Sequence, residues 1–191
     1  MGTRSGVTTR KELVRAFLGS ASATAVLVRR RRLALPRGRV GVSLAFTDGT
    51  RSVVYRETAR LNGATADPAL LVVQFRLRLI GRSRLMHRAF RAESLANTPL
   101  FAGFPGFRYK LWLNDPATGL YRGVYEWDGA GPAREYAETL CRLLAAVSEH
   151  GTVRYHVEPG TSLDAFLRDP HVAGEPRAED SWWRLVDGVV A

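Results

Sequence analysis

The 191-residue chain has one cysteine, two methionines and, among 28 basic residues, two lysines (Lys11 and Lys110). A single thiol, Cys141, excludes an intramolecular disulfide and any cysteine-based zinc site. It falls within a helical pattern, which favours a structural thiol over a nucleophile. No apolar run approaches the ~18–20 residues needed to cross a bilayer. The apolar stretch 16–28 is interrupted by Gly and Ser and followed by four arginines, a poor secretory signal, so a cytoplasmic location is expected. Dinucleotide, P-loop and Gly-X-Ser-X-Gly signatures are missing. The four histidines (His87, His150, His156, His171) lack metal-ligand spacing, so neither metal nor cofactor is expected. The shortage of lysine beside abundant Arg, Ala and Gly reads as the coding bias of a GC-rich genome.

Charge is present in excess but unevenly placed. The net charge is +10, and residues 1–60 carry 13 basic residues against Glu12, Asp48 and Glu57, which accounts for all of it. The remainder of the chain is neutral. With 46% apolar residues the chain can bury a core. The reading is therefore a neutral domain with a basic front third whose charge is separate from any pocket chemistry. A nucleic-acid role for that front (Arg29–Arg32, Arg37, Arg39, Tyr55) ranks last, because interleaved aromatics are missing and no nucleic-acid fold is recognisable.

Local signals divide the chain into an extension (1–66), a central domain (67–160) and a tail (161–191). Thr9-Arg10-Lys11-Glu12 fits a capping box before a short helix ending at Gly19. Val40, Val42, Leu44 and Phe46 alternate, Asp48-Gly49 supplies a turn, and Val53 and Tyr55 resume the alternation, which predicts a β-hairpin. From 70 to 158 the pattern reads strand (70–80), helix (83–97), strand (107–113), strand (120–127), helix and strand (152–157). Residues 100–106 form a loop laid over apolar surface. Pro132 suits the start of the second helix. Its apolar stripe runs through Tyr136, Leu140, Leu143, Leu144 and Val147, and Gly151 suits its end. This βαββαβ order predicts an α+β, ferredoxin-like sandwich with both helices on one face. A short helix over 162–167 follows, then Trp182 and Trp183. As adjacent residues these are not expected to face one core together. The tail is expected to pack on its own or a neighbouring subunit.

Strand alternation sorts the sheet into two faces. One carries Phe75, Leu77, Leu79, Tyr109, Leu111, Leu113, Tyr121, Tyr125, Trp127, Tyr155 and Val157, beneath the helices. Its tyrosines and tryptophan suggest an aromatic-walled pocket, with a satisfied core as the plainer reading. The other carries Gln74, Arg76, Arg108, Lys110, Trp112, Arg122, Glu126, Arg154, His156 and Glu158 and is expected to be open. Trp112 sits oddly there, which suggests cover by a second subunit.

The segments Pro105-Gly106-Phe107-Arg108-Tyr109-Lys110-Leu111-Trp112-Leu113-Asn114 and Thr118-Gly119-Leu120-Tyr121-Arg122-Gly123-Val124-Tyr125-Glu126-Trp127, followed by a helix with Tyr136, resemble the dimeric α+β-barrel family. That family includes cofactor-independent monooxygenases of aromatic polyketide biosynthesis, and the resemblance covers about residues 70–158. It implies a homodimer pairing its sheets face to face, and a small-molecule enzyme for an aromatic or polyketide-like substrate. In such an enzyme the substrate's own enolate or phenolate supplies electrons to oxygen, while the protein deprotonates it, holds its oxyanion and excludes water. Candidate catalytic residues are His156 as base or oxyanion partner, Arg108 assisting, and His87 in reserve. Candidate substrate-binding residues are Tyr109, Trp112, Tyr121, Tyr125, Trp127 and Tyr155. A cyclase or isomerase on a similar substrate needs the same equipment. A non-catalytic ligand-binding or assembly protein of this fold is the alternative. Haem degradation, also known in the superfamily, would call for a helix histidine such as His87.

Overall fold

The computed structural model describes residues 32–61, 65–78, 101–169, 171–172 and 181–187. The capping-box helix, the arginines at 29–31, the helix expected over 83–97 and His87 lie outside them. Seven strands form one sheet: β1 (Leu33–Ala34), β2 (Ser43–Ala45), β3 (Arg51–Arg60), β4 (Pro68–Arg76), β5 (Phe107–Asn114), β6 (Leu120–Asp128) and β7 (Arg154–Pro159). The described helices are α1 (Ala130–Val147) and α2 (Leu163–Arg168). Every pairing is antiparallel.

The spatial order β7-β4-β6-β5 is that of a ferredoxin-like sheet, with the strand that opens the motif lying between the last and the third. The β2–β3 hairpin forms around Asp48-Gly49, with Gly49 at φ 79°, in the left-handed region that a side chain resists. Strand β3 then extends the sheet alongside β5, so the basic extension and the central domain share one continuous sheet.

Helix α1 starts at Ala130, two residues before Pro132, with Gly129 as N-cap. Proline is still tolerated there, because first-turn amides have no intrahelical acceptor. The helix ends before Ser148 rather than at Gly151. Helix α2 is capped by Ser162, whose hydroxyl accepts a hydrogen bond from the Ala165 amide at 3.1 Å. Among the described residues no helix is long and apolar enough to cross a membrane.

The sheet carries a core on each face. Ala133, Tyr136 and Ala137 of α1 pack on Leu71, Val73, Phe107 and Trp127, with Phe101 and Phe104 from the loop before β5 in the same cluster. On the other face Leu70, Val72, Leu111, Leu113 and Val124 meet Leu163, Phe166, Trp182 and Trp183. This second face was expected to be open, but the chain's own tail covers it. Both tryptophans share that one cluster, at 7% and 2% exposure. The segment turns there instead of running as a strand, so neighbouring side chains are not driven to opposite sides. The Arg122 side chain is also buried on this face, and it donates to Asp48 at 2.5 Å and Gln74 at 2.6 Å.

Candidate functional site

Face assignment by alternation holds for β4, β6 and β7 and inverts for most of β5. Phe107 stands opposite Trp127, but Tyr109 stands opposite Glu126, so Arg108 is an extra residue in the ladder. One inserted residue flips everything beyond it, because side chains repeat every two residues. Tyr109, Leu111 and Leu113 therefore point to the tail, while Lys110 and Trp112 join Tyr125 on the α1 face. The supposed oddity of Trp112 disappears: it is a pocket residue with its indole N–H donated to Thr58 Oγ1 at 3.1 Å. The argument it provided for a covering subunit goes with it.

A second irregularity lies in β3, where Val54 opposes Leu113 and Arg56 opposes Trp112, leaving Tyr55 as the extra residue. Tyr55 lies 6.4 Å from Trp112, ring to ring, and the Arg56 guanidinium lies over the Trp112 ring at 4.3 Å. The basic front third thus reaches the site, contrary to the expected separation.

Between this face and α1 lies a cavity of about 430 Å³, in the range of small-molecule sites. Its walls are the rings of Tyr55, Phe75, Phe101, Trp112, Tyr121, Tyr125 and Tyr136, with Leu140, Leu143 and Leu144 from the helix. Phe101 meets Trp112 and Tyr125 edge to face at 5.3 and 6.3 Å, which locks the back wall. The Tyr125 and Tyr136 hydroxyls are 3.5 Å apart. Burial raises both above the ordinary phenol value, so both remain protonated at neutral pH.

Lys110 lines this cavity at 5% exposure. Its Nζ lies 3.0 Å from the Trp112 ring centroid, 4.4 Å from that of Phe101 and 4.7 Å from that of Tyr125. Among the described residues no carboxylate pairs with it. Desolvation, then the nearby Arg56 charge, hold the amine well below its ordinary value of 10.5. The two opposing effects can be weighed. Complete burial shifts a lysine by up to ~3–5 pKa units, about 4–7 kcal/mol, whereas a desolvated cation–π contact returns roughly 2 kcal/mol. Arg56 competes for the Trp112 face, so burial and this neighbouring charge both move the amine toward its uncharged form.

Of the expected site residues, Trp112, Tyr121 and Tyr125 meet at this cavity. Trp127 is in the core behind it, packed on Tyr136 at 4.9 Å. Tyr155 is part-exposed on β7, outside the wall. Tyr109 lies on the opposite face and donates its hydroxyl to buried Glu57, which is 1% exposed. Arg108 pairs with Asp128 at 2.5 Å beside the bulge. His156 is on the tail face too, stacked on Trp183 at 4.0 Å and 2.9 Å from a Glu158 oxygen. His156 and the tyrosine cavity are thus on opposite sides of the sheet. Sequence reasoning missed Lys110, Tyr55, Arg56 and Tyr136 as site residues. The available signal for Lys110 was its rarity: it is one of two lysines in an arginine-rich chain, within a strand of aromatics.

No group of three or more His, Cys, Asp or Glu among the described residues could hold a metal ion. No protein-family model matches the chain, and no curated protein sequence matches it. Among solved structures it is similar to a ferredoxin-fold protein from Listeria monocytogenes related to antibiotic biosynthesis monooxygenases. That similarity is at 14% identity and TM-score 0.39, over 59% of this chain and 65% of that one. A monooxygenase-like protein from Listeria innocua gives 17% and 0.38, over 59% and 65%. A heme-degrading enzyme from Listeria monocytogenes gives 11% and 0.41, over 71% and 90%. The chain thus spans 65% of the length of the first two.

Proposed function

We propose that the chain is a small-molecule enzyme that takes a planar, fused-ring aromatic substrate into the cavity and removes a proton from it with Lys110. The observation that carries this reading is an amine enclosed by the ring faces of Trp112, Phe101 and Tyr125, held below its ordinary pKa by burial and lacking an acidic partner among the described residues. A general base works best when its pKa lies near the operating pH, and burial moves a lysine in that direction. Ring walls orient a flat substrate by stacking, and the protonated lysine left behind then holds the developing anion in a water-poor site.

In the monooxygenase form of the reaction, a ring methylene acidified by a conjugated carbonyl gives its proton to Lys110 Nζ. The carbanion's electrons reduce dioxygen; one oxygen atom stays as a new carbonyl and the other leaves as water carrying both methylene hydrogens. Methylene plus dioxygen thus gives ketone plus water, with no further reductant needed. A cyclase or isomerase would use the same proton transfer and consume no oxygen.

The test is oxygen uptake with a tricyclic anthrone, comparing the natural chain with Lys110→Met. Loss of a positioned base is expected to slow turnover by about 10²–10⁴-fold. Anthrone binding, followed by tryptophan fluorescence, should change only a few-fold. Equal uptake by the two chains would refute the assignment. Rearranged product formed without oxygen uptake would select the isomerase form.

A further inference from the structure

We propose that Lys110 is also a nucleophile, whose amine condenses with an aromatic aldehyde or ketone lodged in the cavity to form a reversible imine. This goes beyond the proton-abstraction reading and shares with it only the buried, ring-enclosed amine.

Two circumstances make a lysine nucleophilic near neutral pH, an apolar pocket and a neighbouring cation, and here they coincide. Three ring faces bound Nζ at 3.0, 4.4 and 4.7 Å, which leaves the cavity as its open approach. Arg56 shares the Trp112 ring with it at 4.3 Å. Among the described residues the other titratable groups at this space are Tyr55 from β3, Tyr121, Arg122 and Tyr125 from β6, and Tyr136 and Cys141 from α1. Among the described residues none of these is a carboxylate that would hold the amine as an ammonium; burial pushes the Cys141 thiol up to about 11. The aromatic walls select an aromatic carbonyl compound over an aliphatic one, because ring stacking adds to the area buried.

The step balances within the site. The nitrogen lone pair attacks the carbonyl carbon, and a proton moves from nitrogen to the former carbonyl oxygen, giving a carbinolamine. Its hydroxyl then leaves as water as the C=N bond forms. That departure needs a proton donor, and the paired hydroxyls of Tyr125 and Tyr136 remain protonated on the same wall.

The chain suits a direct test, because Lys11 is its only other lysine. The native chain is incubated with 2-naphthaldehyde and sodium cyanoborohydride from pH 6 to 9, then digested and mapped by mass. Expected is an adduct of the aldehyde's mass less one oxygen at Lys110, with a Lys110-to-Lys11 labelling ratio that falls as the pH rises toward 9. The ratio cancels the pH dependence of the hydride step, because cyanoborohydride reduces the protonated imine at both lysines. In 8 M urea the two lysines should label alike. No adduct at Lys110, or a pH profile matching that of Lys11, would overturn the proposal. Oxygen uptake is a separate readout, so a chain that traps the aldehyde without oxidising anthrone, or the reverse, shows which idea has failed.

Discussion

Burying a lysine without an acid stores a protonation cost that can be read as stability. An unfolded Lys110 would keep its proton up to about pH 10.4, while the folded one has lost it well below that. Between those values the unfolded state binds more protons, so folding stability rises with pH, by at most about 1.4 kcal/mol per pH unit for one proton. Cys141 and the buried tyrosines act in the opposite sense. Their folded values are raised, so their contribution is present below the unfolded pKa and declines above about pH 9 for the thiol and pH 10 for the phenols. The two senses separate by mutation. Lys110→Met should be more stable than the natural chain at pH 7, and the gap should narrow steadily towards pH 10. Urea unfolding at pH 6, 7, 8 and 9 measures it, and a gap independent of pH would mean that Lys110 folds with its proton on.

The same residue shows what a sequence hides at this scale. Lys110 reads as a surface residue because lysine usually is one, and alternation placed it with Arg108 and Arg122. Neither cue registers the rings around it, which come from three different stretches of chain. Alternation put Tyr121 and Tyr125 on the cavity face, whereas Trp112 was named by residue type and put on the opposite face. His156 looked chemical by residue type, whereas its surroundings, a Trp183 ring and a Glu158 carboxylate, give it structural partners.

At the level of elements, the legible features were those with local causes. The β2–β3 hairpin follows from Asp48-Gly49, α2 from Ser162, and the β5–β6 hairpin from the turn between Asn114 and Leu120, where Asp115 accepts from the Ala117 amide at 2.8 Å. The bulges at Arg108 and Tyr55 have no such local cause. Each is a mismatch between two strands, so counting along one strand cannot reveal it, and one residue of slip inverted β5. Gly123 has a reason visible only across strands. It sits opposite Trp112 on β5 and Val73 on β4, and the Tyr125 ring lies directly over it. A Cβ there would meet Tyr125 ring carbons at 2.5 and 2.8 Å and its hydroxyl oxygen at 2.8 Å. Gly123→Ala must therefore push the Tyr125 ring off the sheet and away from Tyr136. The expected cost is about 1–3 kcal/mol in denaturant unfolding, as for other overpacked cores. Anthrone affinity should drop at least tenfold, since the displaced ring moves into the cavity. Unchanged affinity in a folded Gly123→Ala chain would show that Tyr125 does not wall the binding site.

Across the whole molecule, one sheet separates two functions of packing. The α1 face holds a cavity; the other holds a core covered by α2 and residues 181–187. The excess positive charge divides along the same lines. Arg39 from the basic third ties the tail down, with Nη2 2.6 Å from Asp164 and its amide donating to Glu57 at 2.7 Å. Arg56 from the same third bears on Lys110 on the cavity face, where both meet the Trp112 ring. The front third is thus built into both faces. Because the sheet lies between them, damage to the covered face should leave the cavity chemistry intact. Trp183 is the residue to remove: it stacks on His156 at 4.0 Å and Phe166 at 6.2 Å, with the Arg184 guanidinium 4.8 Å from its ring. Trp183→Ala should cost about 3–5 kcal/mol, the range for emptying a buried aromatic site, seen as a lower urea midpoint. Below that midpoint, naphthaldehyde should still label Lys110 with the same pH-dependent ratio to Lys11. Loss of that pH dependence while the chain remains folded would mean that the tail face positions the cavity, and that the sheet does not insulate one side from the other.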